Sequence, residues 1–128
     1  MPKWEDYKAK ARSRGALALE LFVVHSAPSG DGGAVRAALP DHLAYQARLE
    51  AEGALVFAGP MSDETGEEMQ GVGMIVYRAR SLEHARELAD NDPMHRTGAR
   101  SFTLRKWLVN EGALTLSVRL SAQAVALT

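Results

Sequence analysis

The order of strand-like and helix-like segments restricts this chain to few folds. Residues 18–25 (ALELFVVH) form a nearly continuous apolar run with β-branched and aromatic side chains, which predicts a buried strand. Three more strand-like runs follow, at residues 54–58, 72–78 and 101–109. Two segments have helical apolar spacing, one at residues 40–52 and one from residue 82 to a turn at 91–93. The predicted order is strand, helix, strand, strand, helix, strand.

That order is typical of a ferredoxin-like α+β domain, βαββαβ, in which an antiparallel sheet carries both helices on one face. A loop rich in glycine is predicted at residues 26–34, before the first helix. Asn110, Glu111 and Gly112 resemble a tight turn, and residues 114–120 alternate apolar with polar side chains. The sequence therefore predicts a C-terminal β-hairpin extension at residues 108–128, in which the strand at 114–120 has one buried face.

The N-terminal segment is expected to lie outside the main domain. Trp4, Tyr7, Lys8 and Ala11 follow helical spacing, so residues 1–16 are interpreted as a helical or flexible extension. Residues 17–128 are then a single domain, and a chain of 128 residues is long enough to bury one core.

The predicted strands carry apolar residues on both sides. One face is covered by the helices, and the other face needs a second cover. A second copy of the same sheet is the simplest one, so a face-to-face homodimer is the hypothesis.

Composition excludes several classes of function. The chain has no cysteine, which excludes disulfides, thiolate catalysis and cysteine metal sites. Its formal net charge is −1, so no overall field favours a nucleic acid or a membrane surface as partner. Phosphate-binding glycine motifs are absent, and we expect no cofactor and no metal. Without a targeting or membrane-spanning segment, the expected location is cytoplasmic.

Two residues are the main candidates for chemistry. A histidine side chain can take or give a proton near neutral pH, so His42 is a candidate acid or base, and at the start of the predicted helix the positive end of the helix dipole would favour the neutral, basic form. Asp92 could orient an imidazole that faces it. The alternatives are a histidine that bonds a backbone group and an aspartate that caps its own Asp-Pro turn. One aspartate could do both.

Several motifs, in this order and at these spacings, resemble a known family. They are Leu39-Pro40-Asp41-His42-Leu43, Ala58-Gly59-Pro60, Ser81-Leu82-Glu83-His84-Ala85 and Asp92-Pro93-Met94, with Trp107 ending the last matching strand. Over residues 18–110 the chain resembles the YCII-related (YciI-like) family of the dimeric α+β barrel superfamily.

The resemblance implies a ferredoxin-like fold, a homodimer, and a pocket that holds His42 and Asp92 as the catalytic pair. Members of known activity use such a pair for acid–base chemistry on small cyclic molecules, such as dehydrochlorination of a chlorinated hydroxyquinol. Gly59 and Pro60 match the family's Ala-Gly-Pro step and are candidates for substrate binding.

Four other residues are candidates for substrate binding by position. His25 ends the first predicted strand, Tyr45 lies one helical turn from His42, and His95 and Arg96 follow Asp92. Arg96 could bind a carboxylate or phenolate, although surface roles are the alternative. His42, Asp92 and His95 could in principle bind a metal, but no close His-x-x-x-His pair supports one.

Two functions of different classes remain open. The first is an enzyme, a lyase or isomerase, in which His42 and Asp92 act on a small cyclic or carbonyl substrate by elimination or isomerisation. The alternative is a non-catalytic dimeric module that binds a metabolite or a protein, in which residues 1–16 and the C-terminal hairpin are the working surfaces.

Overall fold

The computed structural model describes residues 1–127, so Thr128, the end of the predicted domain, lies outside the described residues. Within this range the helices and strands are α1 Trp4–Ser13, β1 Leu19–Pro28, α2 Gly32–Ala51, β2 Leu55–Ser62, β3 Met69–Tyr77, α3 Leu82–Asp90, α4 Pro93–Arg96, β4 Arg100–Val109, β5 Leu116–Arg119 and β6 Ala124–Leu127.

Four strands form an antiparallel sheet in the order β2-β3-β1-β4, which confirms the predicted ferredoxin-like α+β fold. In the register of β1 with β3, Phe22 is opposite Tyr77, Val24 opposite Ile75, and Ser26 opposite Gly73. Alternate residues of a strand point to the same face, so these six residues share one face. The apolar members of that face pack with Leu49 of α2 and with Ala85 and Ala89 of α3 to form the core.

Helix α2 begins eight residues earlier than predicted. The expected loop at 26–34 is wrong, because Ser26, Ala27 and Pro28 extend β1 and the helix starts at Gly32. The side chain of Asp31 accepts a hydrogen bond from the Gly33 N–H at 2.9 Å and caps the first turn. Pro40 therefore lies inside the helix, where it removes one backbone donor. None of the helices within residues 1–127 is long and apolar enough to cross a membrane.

The helix ends agree with the local signals of the sequence. Gly53 follows α2 with φ of 81°, and the Ala54 N–H donates to the Leu49 carbonyl at 2.9 Å, as in a glycine-terminated helix. Ser81 caps α3 by accepting from the His84 N–H at 3.0 Å, as predicted. β2 continues through Gly59 and Pro60, which were expected to end it.

The chain divides into two compact units, residues 20–107 and the two terminal segments, residues 1–19 with the chain from residue 108 onward. The first contains the sheet, α2, α3 and α4. The second contains α1, which lies in the segment expected to be helical or flexible, and the C-terminal hairpin.

The C-terminal hairpin differs from the prediction in its strands and its burial. β5 pairs with β6, in a separate two-stranded sheet, so the residues at 110–112 do not form a hairpin turn between β4 and β5. The apolar residues of β5 are exposed, with Leu116 at 63%, so the predicted buried face is wrong. The physical reason is that a two-stranded ribbon has no second layer of its own to cover its apolar side.

Candidate functional site

His42 and Asp92 form the central polar contact of the first unit. Nδ1 of His42 lies 2.8 Å from Oδ1 and 2.9 Å from Oδ2 of the Asp92 carboxylate. The Asp92 side chain is 0% exposed, while that of His42 is 16% exposed. Asp92 is thus fully buried, and the His42 side chain is partly accessible to solvent.

The position of Asp92 follows from the turn between α3 and α4. Pro93 cannot continue α3 and suits the first position of a new helix. Asp92 is the N-cap of α4, and its Oδ1 accepts a hydrogen bond from the Met94 N–H at 2.9 Å. The carboxylate therefore caps its own turn and contacts His42, so both interpretations of Asp92 hold at once.

The geometry assigns the atoms of His42. A carboxylate only accepts, so Nδ1 of His42 carries a proton that points to Asp92, and in a neutral imidazole the lone pair is then on Nε2. No residue within 1–127 bonds Nε2. The expected influence of the helix dipole is wrong, because α2 begins at Gly32 and the dipole acts mainly on the first turn. Asp92, and not the helix end, sets the tautomer.

His42 borders a cavity of about 500 Å³ that lies within the first unit. Most of its lining is apolar side chains and glycine, from α2, β2, β3 and α4. Its polar lining residues are Ser26, His42, Gln46, His95 and Arg100. A concave, mostly apolar space with a few convergent polar groups is the usual form of a small-molecule site.

A second polar network, formed by Ser26, His95 and Arg100, borders the same cavity. Nδ1 of His95 lies 2.7 Å from the Ala89 carbonyl, so this nitrogen carries the proton and donates. Nε2 of His95 lies 2.9 Å from the Ser26 Oγ. The same Oγ accepts a hydrogen bond from Nε of Arg100 at 2.9 Å. The serine hydroxyl therefore donates to Nε2 of a neutral His95.

The surroundings change the protonation of this network. Burial lowers the pKa of His95, and the neighbouring His42 and Arg100 lower it further. The hydrogen bond to the Ala89 carbonyl and the negative charge of Asp92 act in the opposite direction but do not outweigh burial. Burial also lowers the pKa of Arg100, although a guanidinium stays charged at neutral pH. The cavity thus has a neutral His95 beside a cationic Arg100.

The lowered pKa of His95 predicts a loss of stability in mild acid. The ordinary pKa of a histidine is 6.5. When the pH falls below this value, His95 takes up a proton in the unfolded chain but not yet in the folded protein. The free energy of unfolding should therefore fall as the pH drops from 6.5 toward the lower folded pKa. We expect urea denaturation between pH 7.5 and 5.5 to show this slope, and His95→Gln to reduce it. An unchanged slope in His95→Gln, with His25→Gln as the matched exposed control, would contradict the assignment.

The predicted site residues divide into two groups by location. His42, Gly59, Pro60 and His95 line the cavity, and Asp92 lies behind His42 without lining it. His25, Tyr45 and Arg96 do not line it: they lie on the exposed side of β1 or on a separate surface groove. Binding roles for these three residues stay predictions.

Tyr45 has a packing contact that explains its position. Its hydroxyl donates to the Leu88 carbonyl at 2.6 Å, which joins α2 to α3. Burial, followed by the negative charge of Asp92, raises the pKa of Tyr45. The hydroxyl therefore stays protonated and remains a donor.

Among the polar residues of the cavity lining, Ser26, Gln46 and Arg100 were not predicted from the sequence. Ser26 was placed in a loop, and Arg100 stands between Gly98 and a predicted strand without a motif around it. The alternation of β1 could have indicated Ser26, because it shares the buried face with Phe22 and Val24. No local signal points to Arg100.

The three residues considered for a metal site are engaged with protein atoms. Nδ1 of His42 bonds Asp92, and both ring nitrogens of His95 have partners. Among residues 1–127, no group of three or more His, Cys, Asp or Glu side chains could hold a metal ion.

Comparison with known proteins shows similarity to a protein family, to a relative in sequence and to a solved structure. A family model for the YCII-related domain matches residues 21–108. The uncharacterized protein YjpA of Bacillus subtilis (strain 168) is 38% identical over 66 residues, which are 52% of this chain and 71% of YjpA. The solved structure of 5-chloro-2-hydroxyhydroquinone dehydrochlorinase (TftG) from Burkholderia phenoliruptrix AC1100, in complex with 2,5-dihydroxybenzoquinone, aligns with a TM-score of 0.54 and 22% identity. That alignment covers 68% of this chain and 92% of the dehydrochlorinase, and it shows a shared fold.

Proposed function

Because the chain belongs to the YCII-related family, we propose that it is an enzyme that moves a proton on a small cyclic or carbonyl compound, with elimination or isomerisation as the reaction. His42 is the general base and acid, and Asp92 is its positioning residue. The observation that carries the proposal is the contact of His42 Nδ1 with the buried Asp92 carboxylate, while His42 also lines the cavity.

The proposed step uses the free nitrogen of His42. Nε2 takes a proton from a C–H or O–H group of the substrate, and the imidazolium that forms is stabilised by the ionised Asp92. In an isomerisation the proton returns to another atom of the substrate. In an elimination the electron pair of the broken C–H bond expels the leaving group, and His42 passes its proton to that group or to water.

The cavity supports the proposed substrate class. Its volume of about 500 Å³ and its apolar lining suit a single ring or a short carbonyl compound. The dehydrochlorinase with the same fold was solved with 2,5-dihydroxybenzoquinone, a small cyclic molecule. Compounds of this kind are therefore the first candidates to test.

The experiment is a screen for proton exchange in D2O. Hydroxylated aromatic and carbonyl compounds, among them 5-chloro-2-hydroxyhydroquinone, are incubated with the protein, and NMR follows deuterium entry into C–H positions. Chloride release is measured for the chlorinated compound. Exchange or elimination above the uncatalysed rate supports the proposal. Compounds that bind without exchange indicate instead the non-catalytic binding module.

We also propose that the protein is a homodimer that pairs through its sheet. On the face opposite α2 and α3, Phe57 of β2 is 52% exposed and Trp107 of β4 is 41% exposed. Large exposed apolar side chains on one surface are typical of association sites. A second sheet of the same kind would cover them.

Sedimentation velocity tests the homodimer. The wild-type chain should sediment as a dimer, and Phe57→Glu should shift it toward the monomer, because a charge would be buried in the interface. Leu82→Glu is the matched control, since Leu82 belongs to α3 on the helix side. A monomeric wild type, or equal effects of both substitutions, would show that the sheet face is not the interface.

A further inference from the structure

Among residues 1–127, the cavity lining contains one permanent positive charge and no carboxylate. Arg100 is the only lysine or arginine of the described residues that line it, and none of these residues is an aspartate or glutamate. The neighbouring carboxylate, Asp92, is fully buried and engaged by His42 and by the Met94 N–H. The charge of Arg100 is therefore not neutralised by a contact within residues 1–127.

Neutral groups of the protein hold the guanidinium in place. Nε of Arg100 donates to the Ser26 hydroxyl and Nη2 donates to the Ser26 carbonyl, both at 2.9 Å. Nη2 also donates to the carbonyl of Gly71, a residue whose φ of 80° favours glycine. Anchoring by strands β1 and β3 orients the group before any ligand arrives, which lowers the entropic cost of binding.

One side of the guanidinium remains available. The two N–H groups of Nη1 have no partner within residues 1–127, and Nη1 is not among the buried unsatisfied atoms. Because Arg100 lines the cavity, these donors can meet a ligand there. Anionic oxygens, such as those of a carboxylate, are acceptors that a guanidinium binds strongly.

His95 and Ser26 keep this corner of the cavity positive. The Ser26 hydroxyl directs its proton to the neutral His95 and its lone pair to Arg100, so neither residue contributes a negative charge. The apolar lining nearby, which includes Leu39 and Met74, raises the strength of a charge pair by excluding water.

We propose that Arg100 binds one anionic oxygen of the cavity's ligand, so that this chain selects small planar rings that carry an ionised hydroxyl or carboxylate group. Ser26 and His95 are its positioning residues. The inference rests on the proposed function in one respect, because it assumes that the cavity holds the substrate.

Pairs of charged and neutral ligands of similar shape test the inference by calorimetry at pH 7.5. Benzoate is compared with benzamide for the carboxylate, and 2,5-dihydroxybenzoquinone with its dimethyl ether for the ionised hydroxyl. We expect the wild type to prefer the anion of at least one pair by about tenfold or more. Which pair shows the preference identifies the source of the anionic oxygen.

Two substitutions assign that preference to Arg100. Arg100→Gln should reduce it to less than about threefold, and Arg100→Lys, which keeps the charge but loses the Nε and Nη2 anchors, should retain only part of it. Arg96→Gln is the matched control, because Arg96 lies outside the cavity, and it should leave the preference unchanged. An equal preference in wild type and Arg100→Gln would overturn the inference.

A measurement on the wild type covers the case in which Arg100→Gln does not fold. The Nε–H signal of Arg100 in NMR should shift on titration with the preferred anion and stay in place with its neutral partner. If charged and neutral ligands bind the cavity equally well, the inference is wrong while the proposed function stands. If no ring of either kind binds, both the inference and the ring substrate class are wrong.

Discussion

The His42→Asn variant is expected to lose about 100- to 10,000-fold of the rate of proton exchange or elimination, the range that general acid–base groups contribute. Asparagine has a similar size and its amide can still donate to Asp92, so the buried contact keeps a partner. It cannot take a proton at the position of Nε2. The loss should appear in kcat, measured with whichever compound the exchange screen identifies.

The control for His42→Asn is His84→Asn in α3. Nδ1 of His84 accepts from the Arg80 N–H at 3.0 Å, and His84 does not line the cavity. This variant should retain the wild-type rate within about threefold, and a thermal melt of both variants checks their folding. A His42→Asn protein that folds and keeps its rate would show that His42 does not move the proton.

The Asp92→Ala variant is expected to lose several kcal/mol of the free energy of unfolding, because a buried donor that loses its acceptor costs about 1–3 kcal/mol and this substitution affects two donors. Two donors lose their acceptor in this variant, Nδ1 of His42 and the Met94 N–H that begins α4. The Met94 N–H is buried, so water does not replace the carboxylate there. Urea denaturation at pH 7.5 measures the loss.

Two further variants separate the roles of Asp92. Asp92→Asn keeps an acceptor for the Met94 N–H but removes the charge, so it should be more stable than Asp92→Ala and still lose most of the activity. Asp63→Ala is the matched control, because Asp63 also accepts the backbone N–H groups of its own turn, from Thr65 and Gly66, but at an exposed position. If Asp92→Ala is no less stable than Asp63→Ala, the buried carboxylate does not stabilise the fold as described.

Elements whose signals are local were predictable. The Ser81 cap and the Gly53 stop depend on residues within a few positions of each other, and the structure agrees with both. The start of α2 was not predictable in the same way. Pro40 indicated that the helix begins at residue 40. The Asp31 cap and residues 32–39 instead favour a helix that begins at Gly32 and continues through the proline.

The C-terminal hairpin shows a second limit. Alternation in residues 114–120 correctly indicated extended backbone, but alternation does not say which strand is the partner. The sequence could not show that β5 pairs with β6 or that its apolar side is exposed, because pairing and burial depend on what packs against a strand.

The candidate site divides in the same way. His42 and Asp92 were identified because their motifs are recognisable, and Asp92 caps its turn for reasons that lie in the Asp-Pro step. Arg100 stands in no motif, and its role depends on Ser26, 74 positions away in sequence.

The sequence by itself thus determined the ferredoxin-like order of elements, the helix ends at Ser81 and Gly53 and the two residues of the central pair, because each of these depends on local spacing or on a short motif. Only the tertiary structure decided that His42 and Asp92, 50 positions apart, meet at 2.8 Å, and that Asp92 is fully buried while Nε2 of His42 has no partner within residues 1–127. It also decided which cation enters the cavity, Arg100 and not Arg96. The physical reason is that side chains distant in sequence come together only when sheet register and helix packing bring their elements into contact.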